Sequence, residues 1–320
     1  MKQISYALLM VILAPILLLG CLFCVVPMLF SRGKVSATTY EPFGTRLLCH
    51  LMGSRPDSAA LQLAGGLPAT NRGFMALAIR PLVWASRITG YTPSYLKYPS
   101  SGPTSIGNYL TARCEFFDKA MLDRVSTGDQ VVILGAGWDT RAYGLLKSKE
   151  VTIFEVDAPD TQAVKLAAIK KTGLDASHVT FVSCDFNQQS WLEAAKENGC
   201  DSCKCTFILW EGVTMYLDEQ AINSTLQAVS NLPTGSCIAF DFFAREWLDT
   251  LSGKMARWSV KAMYGELLTF GFPVTPDFSG QLSDYLEECQ LVLDQNRPLG
   301  KEGKLPFGGL VLAVHSTVCS

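Results

Sequence analysis

The chain has 320 residues, enough for one large or two small domains with a sizeable core. Its 27 Lys and Arg against 29 Asp and Glu leave a net charge of −2, without the basic excess of a nucleic-acid binder, so no nucleic-acid partner is expected. Charged residues make up only 18%, and the mean hydropathy of +0.21 is apolar for a soluble protein.

Part of that excess lies at the N-terminus. Residues 3–31 carry no charged side chain, with Lys2 before them and Arg32 and Lys34 after. That length spans a bilayer as a helix. Pro15 and Pro27 would kink it, which membrane helices tolerate. Residues 1–34 therefore read as a single-pass membrane anchor. The alternative is a signal peptide cleaved near Val35-Ser36-Ala37, for which the apolar run is long. Arg32, Lys34 and Arg46 place the remaining body in the cytosol. The eleven cysteines agree, being odd in number and irregularly spaced, as in a reducing compartment. Cys200, Cys203 and Cys205 form a C-x-x-C-x-C cluster without the companion ligands of a zinc site, so no metal is expected.

Residues 35–103 read as a linker and helical cap. Residues 35–70 hold many Thr, Ser, Gly and Pro. Phe74 to Ile88 is apolar but interrupted by Arg80 and Pro81, too short to span and suited to packing or to a membrane surface. Residues 91–103 read as a loop. Residues 104–320 form the main domain. Thr104 to Val125 has helical spacing. Then comes the stretch that organises the rest: Val131 to Leu134 is a buried strand, Gly135 and Gly137 a tight turn, and Asp139 or Thr140 the cap of a following helix. Strands at 151–156, 179–184, 206–210 and 236–243 alternate with helices at 159–171, 188–196 and 218–231. Residues 244–278 are a helical insertion rich in Trp, Met and Phe. A helix at 282–288 and two closing strands near 291–294 and 310–316 end the chain. This alternation predicts an α/β, doubly wound, Rossmann-like sheet.

Predicted strands end in Gly135/Gly137, Asp157, Asp185 and Glu211, and such ends line one crevice. An acid after the second strand suits ribose hydroxyls, and one after the third suits an adenine amino group. No basic residue occupies the glycine turn and no G-K-[ST] appears, so the pattern describes an adenosine site without a phosphate partner. A dinucleotide fingerprint wants a third glycine where Thr140 stands. S-adenosyl-L-methionine therefore fits better than NAD.

Three motifs carry a resemblance. Leu134-Gly-Ala-Gly-Trp-Asp-Thr-Arg141, Phe154-Glu-Val-Asp-Ala-Pro159 and Trp210-Glu-Gly-Val-Thr-Met-Tyr-Leu217 resemble the leucine carboxyl methyltransferase-like family of S-adenosyl-L-methionine-dependent methyltransferases, in its O-methyltransferase branch. The likeness runs over roughly residues 100 to 316 and implies a class I methyltransferase sheet. It implies that Arg113 contacts the cofactor carboxylate, and that Gly135 and Gly137 form the turn. Asp157 would bind ribose, with Glu155 a second candidate. Asp185 and Phe186 would flank adenine, and Glu211 would lie beside the methionine portion. The family's N-terminal basic residue has no clear match, with Arg72 one candidate. The residue 244–278 insertion matches no known member, so the resemblance leaves the acceptor open.

Methyl transfer to a carboxylate needs no general base, because that nucleophile is already ionised. A hydroxyl needs one. None of His50, His178 and His315 is placed for it, which leaves Tyr216 or Asp241 as catalytic candidates. The reading is a membrane-anchored methyltransferase acting on a carboxylate or hydroxyl of a small molecule or protein. An NAD(P)-dependent oxidoreductase and a non-catalytic cofactor-binding membrane protein are the alternatives.

Overall fold

The computed structural model describes residues 1–30, 37–68, 70, 72–100, 104–186 and 188–316. Arg32, Lys34 and the Val35-Ser36 cleavage candidate lie outside these residues, as does the side chain of Arg72.

Five parallel strands form the centre: β1 (Gln130–Leu134), β2 (Thr152–Asp157), β3 (Val179–Ser183), β4 (Thr206–Trp210) and β5 (Cys237–Phe243). Two more, β6 (Leu291–Leu299) and β7 (Gly308–His315), close the sheet in the order β3-β2-β1-β4-β5-β7-β6. β7 runs antiparallel to both β5 and β6. This is the doubly wound, Rossmann-like sheet expected from the sequence. The strand order reverses between β1 and β4, and such a switch point leaves a crevice at the strand carboxyl ends.

Both faces are covered, as an apolar run such as Val131–Leu134 requires. Strand side chains alternate between faces. Val132, Leu134, Phe154, Ile208 and Phe240 enter one core. Val131, Ile133, Ile153, Phe207 and Leu209 enter the other. The second core is closed by α2 (Tyr40–Met52), α3 (Ser58–Ala64), α5 (Tyr109–Arg124) and α6 (Pro159–Thr172). Within residues 35–70, read from the sequence as linker or cap, α2 and α3 bury Phe43, Leu47 and Leu63 completely or nearly so. Asp57 caps α3 by accepting from the Ala60 amide at 3.0 Å.

The helix expected after the glycine turn is absent. A single 3-10 turn, Arg141–Tyr143, stands there. The Asp139 carboxylate accepts from the Arg141 amide at 2.7 Å, and the Arg141 side chain is drawn fully inward. The face such a helix would cover is filled by Phe43, Leu47 and Leu63 packed with Trp138, Tyr143 and Leu146.

At the N-terminus α1 (Lys2–Phe30) is long and apolar enough to cross a membrane. It packs along α4 (Arg72–Thr89) so closely that a Cβ on Gly20 would lie 2.3 Å from the Ala78 nitrogen. The remaining helices are α7 (Trp191–Glu197), α8 (Glu219–Ser230), α9 (Arg245–Leu248), α10 (Leu251–Tyr264) and α11 (Phe278–Glu287). α9 and α10 occupy the expected insertion.

Candidate active site

A cavity of about 710 Å³ opens at the carboxyl ends of β1 to β4, within the usual range of about 300–1,000 Å³ for small-molecule sites. Its floor is the turn after β1. Gly135 and Gly137 take φ of +63° and +40°, the left-handed region that glycine enters at little cost. Neither position has room for a side chain: a Cβ would lie 2.4 Å from Val213 Cγ2 at Gly135 and 2.7 Å from Thr39 Cγ2 at Gly137. Asp157, at the tip of β2, accepts from the Gly137 amide at 2.5 Å and from the Ala158 amide at 2.7 Å. Burial pushes its carboxyl above the ordinary value, with those two amides opposing. Asp185 and Phe186 follow β3 and line the same cavity, as do Arg113, Glu211 and Tyr216.

Beneath the floor lies a buried charge network. Glu211 receives Arg113 Nε at 3.0 Å and Arg141 Nη1 at 2.5 Å. Arg46 Nη1 stands 3.5 Å from Glu211 and 3.4 Å from Asp139. Arg141 also donates to Asp139, and to Asp118 at 2.7 Å. Arg55 joins Asp118 to Asp57, each at 2.5 Å, and Thr140 donates to Asp57 at 2.7 Å. Burial alone would raise the Glu211 carboxyl, but Arg141, Arg113 and Arg46 outweigh it and hold it low. Burial is likewise overcome at Asp118 by Arg141 and Arg55, and at Asp139 by Arg141 and Arg46. A buried ion pair without such mutual satisfaction would be unfavourable.

Two expected site residues are not at the cavity. Glu155 shares a face with Asp157 but sits one pleat deeper, about 7 Å along the strand. There it is 1% exposed and paired with Lys165 Nζ at 2.6 Å. Burial raises its carboxyl, with Lys165 opposing. Asp241 is also buried. It accepts from Arg113 Nη1 at 2.9 Å and the Gly212 amide at 2.5 Å, so its lone pairs hold the Arg113 guanidinium and the turn after β4. It does not line the cavity. Tyr216 does reach the cavity, but burial, then Glu266, raises its phenol well above the ordinary value, so it holds its proton. The imidazoles are tied to backbone: His178 to the Ala142 oxygen at 2.9 Å, His315 to the Leu232 oxygen at 2.8 Å, and His50 to the Asp57 amide at 3.0 Å.

Arg46 was read from the sequence as a charge flanking a membrane span. It is instead 2% exposed on α2, lines the cavity, and keeps a buried Nε without a hydrogen-bond partner. It is a cavity-lining cation that sequence reasoning did not place at the site. Glu41 and Glu266 also line the cavity. Glu41 accepts from the Tyr264 hydroxyl, and Glu266 from Thr38 at 2.9 Å, so the end of α10 and the residues just after it are fastened to the start of α2 and the residues just before it.

This geometry agrees with the comparisons to known proteins. Residues 82–230 match the family model described as leucine carboxyl methyltransferase. That segment belongs to the leucine carboxyl methyltransferase-like family. A protein of Mycolicibacterium paratuberculosis (strain ATCC BAA-968 / K-10), named "Putative S-adenosyl-L-methionine-dependent methyltransferase", is 35% identical over 127 residues, 39% of this chain and 40% of its own length. A protein of Mycobacteroides abscessus with the same name is 30% identical over 161 residues, 49% of this chain and 53% of its own. The chain thus spans about half the length of the relatives it matches. Among solved structures, magnesium protoporphyrin IX methyltransferase from Synechocystis PCC 6803, with SAH bound, aligns at a TM-score of 0.43 and 10% identity, covering 68% of this chain and 90% of that one. So loose a likeness carries no argument. The family's cofactor is S-adenosyl-L-methionine, and the cavity suits it chemically. A glycine floor admits a flat nucleoside, strand-end acids accept from hydroxyls and amines, and Arg46 and Arg113 add positive charge to the lining.

Proposed function

We propose that the chain is a membrane-anchored S-adenosyl-L-methionine-dependent O-methyltransferase, acting on a carboxylate or hydroxyl of a small molecule or protein. The observation that carries this reading is convergence: Arg113, Gly135, Gly137, Asp157, Asp185, Phe186 and Glu211 all line one cavity at the switch point of the sheet. Residues 104–320 would be the methyltransferase domain, with residues 244–278 on the acceptor side. Residues 35–103 would be its cap, and residues 1–34 the anchor, leaving the body in the cytosol.

The cofactor supplies an electrophilic methyl group on a sulfonium, displaced in line. Asp157, steadied by two amides, accepts from the ribose hydroxyls. Asp185 and Phe186 hold the adenine. Arg113 and Arg46 bind the cofactor carboxylate, and Glu211 accepts from the amino group. Among the described cavity carboxylates, Glu41, Asp160 and Glu266 belong neither to the arginine network nor to the cofactor contacts named above. One of them would take the proton of a hydroxyl acceptor, whereas a carboxylate acceptor has none to give.

Calorimetric titration of the full chain in detergent with S-adenosylhomocysteine tests the site. Removing a charged acceptor costs about 1.5–3 kcal/mol, so Asp157→Ala should weaken binding about 10- to 100-fold. Unchanged affinity overturns the assignment. A labelled methyl group appearing in membrane extract tests the reaction, and its release by mild base tells ester from ether. Full protection of the body from protease in sealed microsomes would refute the cytosolic orientation.

A further inference from the structure

Helix α10 turns an apolar face outward. Leu251, Met255 and Trp258 are 77%, 64% and 73% exposed. Their spacing of four and then three residues puts them in one stripe, which Ala262 extends. The other side of the helix is fixed. Gly253 packs on the α9 backbone, where a Cβ would lie 2.2 Å from the Trp247 oxygen, and Val260 packs against the core. Lys254 and Lys261 border the exposed stripe, and α10 contains no acidic residue. A helix on the surface of a water-soluble body has the reverse polarity. Two further contacts give the stripe a setting. α10 touches α1, the apolar N-terminal helix. It also runs directly into Tyr264–Leu267, which forms part of the cavity wall.

We infer that α10 rests on the surface of an anionic bilayer, the membrane entered by α1, and sets the cavity mouth at headgroup level. The inference rests on the reading of α1 as a membrane anchor. An interfacial helix buries its apolar face at the acyl boundary with tryptophan at headgroup depth, while lysines beside it meet anionic lipid. Leu251, Met255 and Trp258 supply the first component, and Lys254 and Lys261 the second. An acceptor dissolved in that leaflet then reaches the cavity without crossing water.

The test uses the full chain reconstituted in vesicles of phosphatidylcholine and phosphatidylserine brominated near the headgroup end of the acyl chain. Tryptophan quenching is compared between the natural chain and Trp258→Phe. The expected result is a quenched component that Trp258→Phe removes, and that Lys254→Glu with Lys261→Glu also removes on the same vesicles. Quenching unchanged by Trp258→Phe overturns the inference. So does a chain that fails to float with the vesicles, or crosslinking of the stripe to a second copy. Titration with S-adenosylhomocysteine, unaltered in these variants, reads the methyltransferase assignment separately, so either can fail alone.

Discussion

Substituting Gly135 separates two contributions that the glycine turn combines. At φ of +63°, a Cβ costs about 1–2 kcal/mol in the backbone. The same Cβ would sit 2.4 Å from Val213 Cγ2. Val213 packs against the core and cannot retreat freely, so overpacking adds about 1–3 kcal/mol. Gly135→Ala should therefore destabilise the chain by about 2–5 kcal/mol. Val213→Ala deletes the clashing methyl. In the double variant only the backbone share should persist, giving a favourable coupling of about 1–3 kcal/mol. Urea denaturation of the four proteins in one detergent measures the cycle. Strict additivity, or a stable Gly135→Ala, would refute both the left-handed turn and its contact with the wall after β4.

Lys165→Met should cost about 3–5 kcal/mol by stranding the buried Glu155 carboxylate, and adding Glu155→Gln should restore much of it in the same denaturation assay. Arg46→Met should weaken S-adenosylhomocysteine binding about 10-fold or more by calorimetry, since it removes a charged donor lining the cavity. Two losses should separate with pH. Asp157 has a raised folded-state pKa, so its ionised, ligand-accepting form is present above that value and is lost first as pH falls. Asp118, Asp139 and Glu211 are depressed. The stability they contribute is fully present above the ordinary carboxylate range and is lost as pH drops through and below it. Cofactor affinity should thus fall at a higher pH than the fold, and coincident transitions by calorimetry and circular dichroism would contradict this order.

Much of the cavity was legible in the sequence because its chemistry sits at strand ends. A buried parallel strand is an apolar run, and the residue after it faces the crevice whatever the rest of the chain does. Asp157, Asp185 and Glu211 could be located that way, with the glycine turn before them. Glu155 shows the limit. Its parity matches Asp157, but depth along the strand decides which carboxylate meets a ligand and which meets Lys165. Asp241 shows another. Its position in a strand was readable, but not that Arg113, 128 residues away, would occupy it. A signal for the charge network was present in Asp139 and Arg141, two opposite charges directly behind the glycine turn. The Arg141 partners Asp118 and Glu211 lie 23 and 70 residues away, and no local pattern links them.

By itself the sequence determined the alternating α/β plan, the long apolar N-terminal segment and the strand-end groups, because periodicity and strand termini are local properties. Tertiary structure decided what those groups do. It resolved the linker-or-cap segment into α2 and α3, which cover the sheet where a helix after β1 was anticipated. It brought Arg46 from an expected membrane flank into the cavity, and it exposed the apolar stripe of α10. The physical reason is the same in each case. A charge buried in a low dielectric is stable only with its partners in place, and those partners come from distant parts of the chain that meet only when the sheet has formed.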